Sequence, residues 1–162
     1  MAGALDFMTF IADCMLGKLA KWLRILGFDV LYFSRIEDAD LVHIAGRDGR
    51  VLLTRDTKLA GRARAVRTLL IDSEKWEDQV RQVLDVFSLR DEAAPHSRCI
   101  VCNMALKPIS RERARNLVVP FILERGSRFS LCPNCGRIYW KGSHAVDMED
   151  RIRSLLAEDP PG

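Results

Sequence analysis

Two Cys-x-x-Cys pairs constrain this chain of 162 residues more than any other feature of its sequence. They are Cys99-Ile-Val-Cys102 and Cys132-Pro-Asn-Cys135. Two intervening residues allow a tight turn to direct both sulfurs at one ion, and two such turns complete the tetrahedral site that zinc prefers. Because four sulfurs leave no position open for catalysis, we expect the zinc ion to be structural.

Other interpretations of the cysteines remain open at this point. Two disulfides would need an oxidising compartment, a redox Cys-x-x-Cys would need only one pair, and an iron–sulfur cluster also takes four cysteines. The ribbon-like spacing favours zinc. His96 and His144 could replace a sulfur ligand, but with four sulfurs available we expect them to lie beside the site. The fifth cysteine, Cys14, opens an apolar helical pattern and is expected to be buried.

The residues around the cysteines predict a small β-rich zinc ribbon over residues 97–145, followed by a C-terminal helix or tail over 146–162. An apolar run, Asn116 to Leu123, predicts a strand between the pairs. Phe129 to Leu131 and Ile138 to Trp140 flank the second pair and predict a hairpin. Removal of the ion is expected to unfold about residues 97–145 and to leave the acidic site of the first part of the chain intact.

The first 90 residues alternate between strand and helix patterns, and a polar linker at about 88–97 ends this part. The alternation predicts an α/β domain over residues 7–90, with a mostly parallel four-stranded sheet flanked by helices. The predicted strands are 7–12, 29–33, 51–53 and 68–71, and the predicted helices are 14–26, 38–46, 57–66 and 75–87.

Acidic residues lie where these strands end or where the next helix begins. Asp13 follows the first strand, Asp38 and Asp40 open the second helix, and Asp56 follows the third strand. The carboxyl ends of parallel strands share one edge of a sheet. Carboxylates that cluster there repel one another unless a cation neutralises them, and Mg²⁺ and Mn²⁺ prefer oxygen ligands. Each acid also stands where a helix N-cap is expected, a role that contributes about 1 kcal/mol without any catalytic function.

The charge distribution favours a polyanionic partner for the second part of the chain. Residues 93–145 contain nine Lys and Arg against two Glu, whereas residues 1–92 are nearly balanced. A strongly basic segment is typical of nucleic-acid binding, and a solvated basic surface without a partner is the alternative. No apolar run is long enough to span a membrane, and the N-terminus lacks the pattern of a signal peptide, so we expect a cytoplasmic protein.

Three motifs resemble the Mut-seven C-terminal ribonuclease domain family, a PIN-like ribonuclease family with a C-terminal zinc ribbon. They are Phe10 to Arg24 (FIADCMLGKLAKWLR), Arg50 to Asp56 (RVLLTRD), and the double Cys-x-x-Cys followed by Ile138 to His144 (IYWKGSH). The resemblance covers roughly residues 8–150. It implies a metal-dependent ribonuclease in which Asp13 and Asp56 hold Mg²⁺ or Mn²⁺ together with Asp38 or Asp40. Asp72 is a candidate for a fourth acidic position.

The resemblance also implies that RNA is the substrate and that the zinc ribbon aids RNA binding. Basic side chains near the site would then neutralise phosphates. The candidates are Lys18, Lys21, Arg24, Arg55, Arg111, Arg113, Arg128, Arg137 and Lys141. Two other functions remain open, namely a non-catalytic RNA-binding protein and a toxin-like or other protein-interaction module.

Overall fold

The structure is a computed structural model that describes residues 7–142 and 145–158. Its first part alternates strands and helices, which confirms the predicted α/β class. The strands are β1 (Thr9–Ala12), β2 (Asp29–Tyr32), β3 (Val51–Thr54) and β4 (Thr68–Leu70). The helices are α1 (Gly17–Ile25), α2 (Asp38–Asp48), α3 (Thr57–Arg62) and α4 (Trp76–Val86).

The four strands form one parallel sheet in the order β2-β1-β3-β4. Because β2 lies on one side of β1 and β3 on the other, the strand order switches between β1 and β3. In open parallel sheets, ligands bind at the carboxyl ends of the strands at such a switch point. Ala12 is paired with Leu53, so Asp13 and Thr54 are the next residues of the two strands at that edge.

The sheet is covered on both faces because successive side chains of a strand point to opposite sides. Phe10, Val51 and Leu53 belong to a core that includes residues of α1 and α4. Ile11 and Leu52 belong to a smaller core with residues of α2 and α3. Strands whose residues are apolar on both faces require this arrangement, as the sequence predicts.

The ribbon has a small antiparallel sheet of β5 (Lys107–Pro108), β6 (Ser127–Leu131) and β7 (Ile138–Lys141). With the cluster of four cysteines it is consistent with a zinc ribbon, and β6 and β7 confirm the predicted hairpin.

The strand predicted over residues 116–123 is wrong, because this part of the ribbon is helical. Helix α5 (Arg111–Arg115) ends just before this run, and α6 (Pro120–Arg125) occupies its second half. Pro120 stands in the first turn of α6, where its fixed φ suits a helix and its missing N–H costs no hydrogen bond. Val119 and Phe121 remain exposed, so the apolar run does not form a buried strand.

The last helix, α7 (Ala145–Leu156), returns the chain to the α/β core. Ile152 and Leu155 are buried in the same apolar cluster as Val80 and Val83 of α4. A helix is therefore present in the C-terminal segment, as the sequence predicts, and residues 159–162 of that segment lie outside the described residues. Within residues 7–142 and 145–158, no helix is long and apolar enough to cross a membrane.

Candidate metal centre and acidic edge

The sulfur atoms of Cys99, Cys102, Cys132 and Cys135 all lie within 4.8 Å of one another. The Cys99–Cys135 and Cys102–Cys132 sulfur separations are 3.7 and 3.2 Å. A tetrahedral zinc ion with bonds of about 2.3 Å to sulfur would separate its ligands by about 3.8 Å. The four cysteines could therefore hold one metal ion such as zinc.

The two cysteine pairs are folded by equivalent hydrogen bonds. The Asn103 amide donates to the Cys99 carbonyl, and the Gly136 amide donates to the Cys132 carbonyl, each at 3.0 Å. Asn103 and Gly136 consequently have left-handed φ angles of 66° and 73°. Glycine adopts this conformation freely and asparagine tolerates it better than most residues.

Hydrogen bonding between the pairs separates the pKa values of two of the thiols. Burial opposes ionisation of Cys102, but hydrogen bonds to its sulfur from Cys132 and Asn134 lower its pKa to about 6. Burial, together with the hydrogen bond to Cys102, raises the pKa of Cys132 to about 11. The hydrogen bond between the two sulfurs therefore makes Cys102 the more acidic thiol of this pair.

Asn103 attaches the first cysteine pair to the α/β sheet. Its side-chain oxygen accepts a hydrogen bond from the Val30 amide at 3.0 Å, and its side-chain nitrogen donates to Asp29 at 2.6 Å. Both of these hydrogen bonds join Asn103 to residues of β2. No sequence motif marks Asn103 as an attachment point, and the only available signal is that asparagine follows the first cysteine pair where Gly136 follows the second.

Arg24 makes a second attachment, and the prediction that it binds RNA is wrong. Its guanidinium donates to the carbonyls of Val30, Ile100 and Val101 at 2.9, 3.0 and 3.1 Å. The residue is only 7% exposed. Burial lowers the pKa of Arg24, while the nearby thiolate positions oppose that shift. The cation thus serves to hold the cysteine turn against α1 and β2 and is not available to a phosphate.

Asp13 and Thr54 meet at the switch point of the sheet. One carboxylate oxygen of Asp13, Oδ2, accepts a hydrogen bond from the Thr54 hydroxyl at 2.9 Å. That hydroxyl accepts a hydrogen bond from the Asp56 amide at 3.0 Å. Asp13 is 6% exposed and makes no side-chain helix cap, so the N-cap interpretation is wrong for this residue. A single hydroxyl therefore links the ends of β1 and β3 and orients the Asp13 carboxylate.

Asp56 does cap a helix, which confirms that interpretation for this residue. Its Oδ1 atom accepts hydrogen bonds from the Lys58 and Leu59 amides at 2.8 and 3.1 Å. Because both amides donate to Oδ1, capping does not occupy Oδ2. The N-cap role and a role as a metal ligand are therefore compatible.

Asp38 and Asp40 lie in the first turn of α2, but neither is its N-cap, which is Glu37. Asp38 forms an ion pair with Arg62 at 2.8 Å, and Asp40 is exposed. The pKa of the Cys14 thiol is raised, first by hydrogen bonding with Asp13, then by burial, and then by the charges of Asp13 and Asp38. Asp38 therefore acts electrostatically on the same position as Asp13.

The carboxylates are more widely spaced than the cysteine sulfurs. Across residues 7–142 and 145–158, the four cysteines are the only group of three or more His, Cys, Asp or Glu side chains whose ligand atoms come together closely enough to hold a metal ion. Asp72 accepts a hydrogen bond from Gln82, and His96 contacts Glu149 at 2.8 Å. His144 lies outside the described residues. Cys14 is exposed, so the expectation that it is buried is wrong.

The other basic candidates lie on the surface of both parts of the chain. Arg55 is half-buried and approaches Glu74 at 3.5 Å. The remaining seven are exposed and thus accessible to a polyanion. They are Lys18, Lys21, Arg111, Arg113, Arg128, Arg137 and Lys141.

The chain resembles known proteins along most of its length. Residues 8–152 match the Mut7-C RNAse domain. Over 128 residues, the chain is 34% identical to the exonuclease mut-7 homolog of Homo sapiens. This alignment covers 74% of the chain but 14% of the human protein, so the chain spans a small part of that relative. No solved structure is significantly similar to the chain.

Proposed function

This chain belongs to the Mut7-C RNAse domain family, and on that premise we propose that it is a ribonuclease dependent on Mg²⁺ or Mn²⁺. Asp13, Asp56 and either Asp38 or Asp40 hold the divalent ion, and the four cysteines hold a structural zinc ion. The zinc ribbon contributes to RNA binding.

The observation that carries this proposal is the Asp13–Thr54 hydrogen bond of 2.9 Å at the switch point. It fixes a buried carboxylate at the edge where α/β sheets bind ligands. Thr54 holds one oxygen of Asp13, and the α3 amides hold one oxygen of Asp56. These hydrogen bonds orient each carboxylate but use only one of its two oxygens. Carboxylate oxygens of this kind suit a hard divalent cation.

A divalent ion bound by these carboxylates would activate water and stabilise the charge that develops on the phosphodiester. The chain's own residues set the position of the acids. Between the two candidates on α2, the electrostatic effect of Asp38 on Cys14 beside Asp13 favours Asp38 over Asp40. Asp38 is held by Arg62, so its use as a ligand requires that this ion pair open.

The structural role of zinc follows from the closed set of four sulfurs. Four thiolates around Zn²⁺ carry a net negative charge. The Arg24 guanidinium lies close enough to interact electrostatically with the thiolates of Cys99 and Cys102. The hydrogen bonds of Arg24 and Asn103 connect this centre to the sheet that carries the acidic edge.

The test is cleavage of a 5′-labelled single-stranded RNA with and without added Mn²⁺. We expect Asp13→Asn and Asp56→Asn each to lower the cleavage rate by about 100-fold or more, because each removes a charge that holds the ion. Asparagine is as good an N-cap as aspartate, so Asp56→Asn keeps α3 capped while it removes the charge. Asp48→Asn, at the far end of α2, is the matched control and should cleave at the wild-type rate.

Undiminished cleavage by both Asp13→Asn and Asp56→Asn would refute the assignment of the acidic site. One observation favours a second candidate function, a non-catalytic RNA-binding protein. Asp38 is held by Arg62 and Asp56 by helix amides, and among the described residues no three carboxylates come together as a group that could hold a metal ion. RNA binding without any Mn²⁺-dependent cleavage by the wild-type chain would establish that second function.

A further inference from the structure

A groove with a volume of 720 Å³ lies between the linker, the ribbon and α7. It begins at Ile25, at the end of α1, and continues between α6, the β6–β7 hairpin and α7. This volume is in the range of sites that enclose small ligands or single nucleotides. None of the four cysteines and none of the residues of the acidic edge is among the residues that line the groove.

Aromatic side chains line this groove, and two of them are largely exposed. Phe121 is 60% exposed and Trp140 is 43% exposed. Tyr139 also lines the groove, but its hydroxyl is fixed by the Cys99 sulfur at 3.1 Å and the Ile100 amide at 3.2 Å. The indole of Trp140 is therefore available for contact. The position of its strand is fixed at the preceding residue, Tyr139, by these two hydrogen bonds.

The charge of the groove is strongly positive. Arg98, Arg125, Arg128 and Lys141 line it, and its one acidic lining residue among those described is Glu149. Glu149 forms an ion pair with Lys141 at 3.8 Å and contacts His96 at 2.8 Å. Arg98 is occupied by hydrogen bonds to backbone carbonyls, which leaves Arg125 and Arg128 as the principal free cations.

The backbone directs one of these cations toward the groove. Arg128 has a left-handed φ of 50°, and the pairing of β6 with β7 shifts register between Ser127 and Ser130. Such a bulge changes the direction in which a side chain points. Arg125 packs over the Phe121 ring at 4.3 Å, so cationic and aromatic surfaces lie together on the same wall.

We propose that this groove binds a single-stranded segment of RNA, with a base stacked on Trp140 and adjacent phosphates bound by Arg125 and Arg128. This inference rests on the proposed function only in taking RNA as the substrate. An apolar groove with a cationic rim matches a single strand, whose bases are free to stack while its phosphates meet Lys and Arg. In a duplex the bases are paired and stacked on one another, so their faces are not available.

The groove and the acidic edge lie at opposite ends of α1. Asp13 precedes this nine-residue helix, and Ile25 is its last residue. The length of α1 is about 12 Å at about 1.5 Å per residue. Lys18 and Lys21 are exposed between the two ends and share one face of the helix with Ile25. A strand held in the groove would therefore reach the acidic edge along the lysines, which requires an RNA of several nucleotides.

The experiment measures binding of a fluorescently labelled 12-nucleotide oligouridine by anisotropy, without added divalent cation so that no cleavage occurs. We expect Trp140→Ala to raise the Kd at least about fivefold, the lower end of what the loss of one stacked base produces. Trp140→Phe retains an aromatic face and should restore most of the affinity. An RNA duplex of the same length should bind the wild type and Trp140→Ala equally.

Salt dependence tests the phosphate contacts. Arg128→Ala should reduce the slope of log Kd against log salt by about 0.7, the value for one phosphate contact of a single strand. Arg115→Ala removes the same charge from the ribbon at an exposed position outside the groove, and it should leave the slope unchanged.

Equal affinities of Trp140→Ala and wild type for oligouridine would overturn the proposal. The proposal would also be overturned if a groove variant kept its RNA affinity but changed from dimer to monomer in sedimentation. A second copy of the chain would then be the occupant of the groove. If the groove variants lose affinity while the wild type cleaves nothing with Mn²⁺, the groove stands and the proposed nuclease function fails. If the wild type cleaves RNA with Mn²⁺ and the groove variants change neither cleavage nor RNA affinity, the proposed nuclease function stands and the groove proposal fails.

Discussion

The side chain of Asn103 joins the metal centre to the sheet, and its removal should destabilise the whole chain. Asn103→Gly removes the acceptor for the Val30 amide and one donor to Asp29. A buried amide without a partner costs about 1–3 kcal/mol, and the lost hydrogen bond to a carboxylate adds about 1.5 kcal/mol. Asp29 still has Arg50 as a partner. We therefore expect Asn103→Gly to lower the free energy of unfolding by about 3 kcal/mol.

The conformation of the backbone at this position predicts a further difference between two variants. Asn103 has a φ of 66°, which alanine adopts at a cost of about 1 kcal/mol or more and glycine adopts freely. Asn103→Ala should therefore be less stable than Asn103→Gly by about 1 kcal/mol, although alanine has the larger side chain.

Urea unfolding of the zinc-loaded chain, followed by circular dichroism, measures both differences. Asn116→Ala, at an exposed position in the ribbon, is the matched control and should change the free energy by less than about 0.5 kcal/mol. Equal stabilities of the glycine and alanine variants would refute the argument from the left-handed backbone. If both were as stable as the wild type, the attachment of the cysteine turn to β2 would contribute nothing.

The same attachment changes the expectation for metal removal. The sequence predicts that about residues 97–145 unfold when the ion is removed and that the acidic site stays intact. In the structure, Arg24 and Asn103 connect the first cysteine turn to α1 and β2, so loss of the ion should also loosen the α/β part. The stacked indoles of Trp22 and Trp76, whose ring centroids are 4.5 Å apart, report on that part through near-ultraviolet circular dichroism.

Two further predictions concern metal binding at each site. Arg62→Ala frees Asp38 from its ion pair, so it should tighten Mn²⁺ binding measured by calorimetry several-fold, and weaker binding would contradict the assignment of Asp38 as a ligand. At the cysteine site, the pKa of Cys102 is lowered from 9.0 to about 6, so this sulfur is a thiolate above pH 6 and takes up a proton as the pH falls below it. The slope of log Kd for zinc against pH, measured with a chromophoric competitor, should therefore become steeper by about one proton below pH 6, and a constant slope through pH 6 would show that Cys102 is not ionised beforehand.

The sequence predicts the α/β class, the four strands and the hairpin of the ribbon because these depend on local patterns. Alternating apolar segments of strand and helix length allow few arrangements other than a parallel sheet with helices on both faces. The metal site is also predicted from sequence, because the two-residue spacing within each cysteine pair is enough to direct both sulfurs at one ion. The strand predicted over residues 116–123 is wrong because Pro120, whose φ favours the first turn of a helix, outweighs the apolar content of this run.

Contacts between distant segments decide what the sequence does not. Arg24 has the spacing of a surface residue on α1, yet the carbonyls of Ile100 and Val101, 76 and 77 residues away, bind its guanidinium inside the protein. Asp13 and Asp56 both stand directly before a helical turn, but only the Asp56 carboxylate accepts hydrogen bonds from helix amides, whereas the Asp13 carboxylate accepts one from the Thr54 hydroxyl. Local pattern determines which element a residue joins. Whether the charge of that residue faces water, a backbone carbonyl or a second acid depends on how the elements pack together. The sequence of one segment does not contain that information.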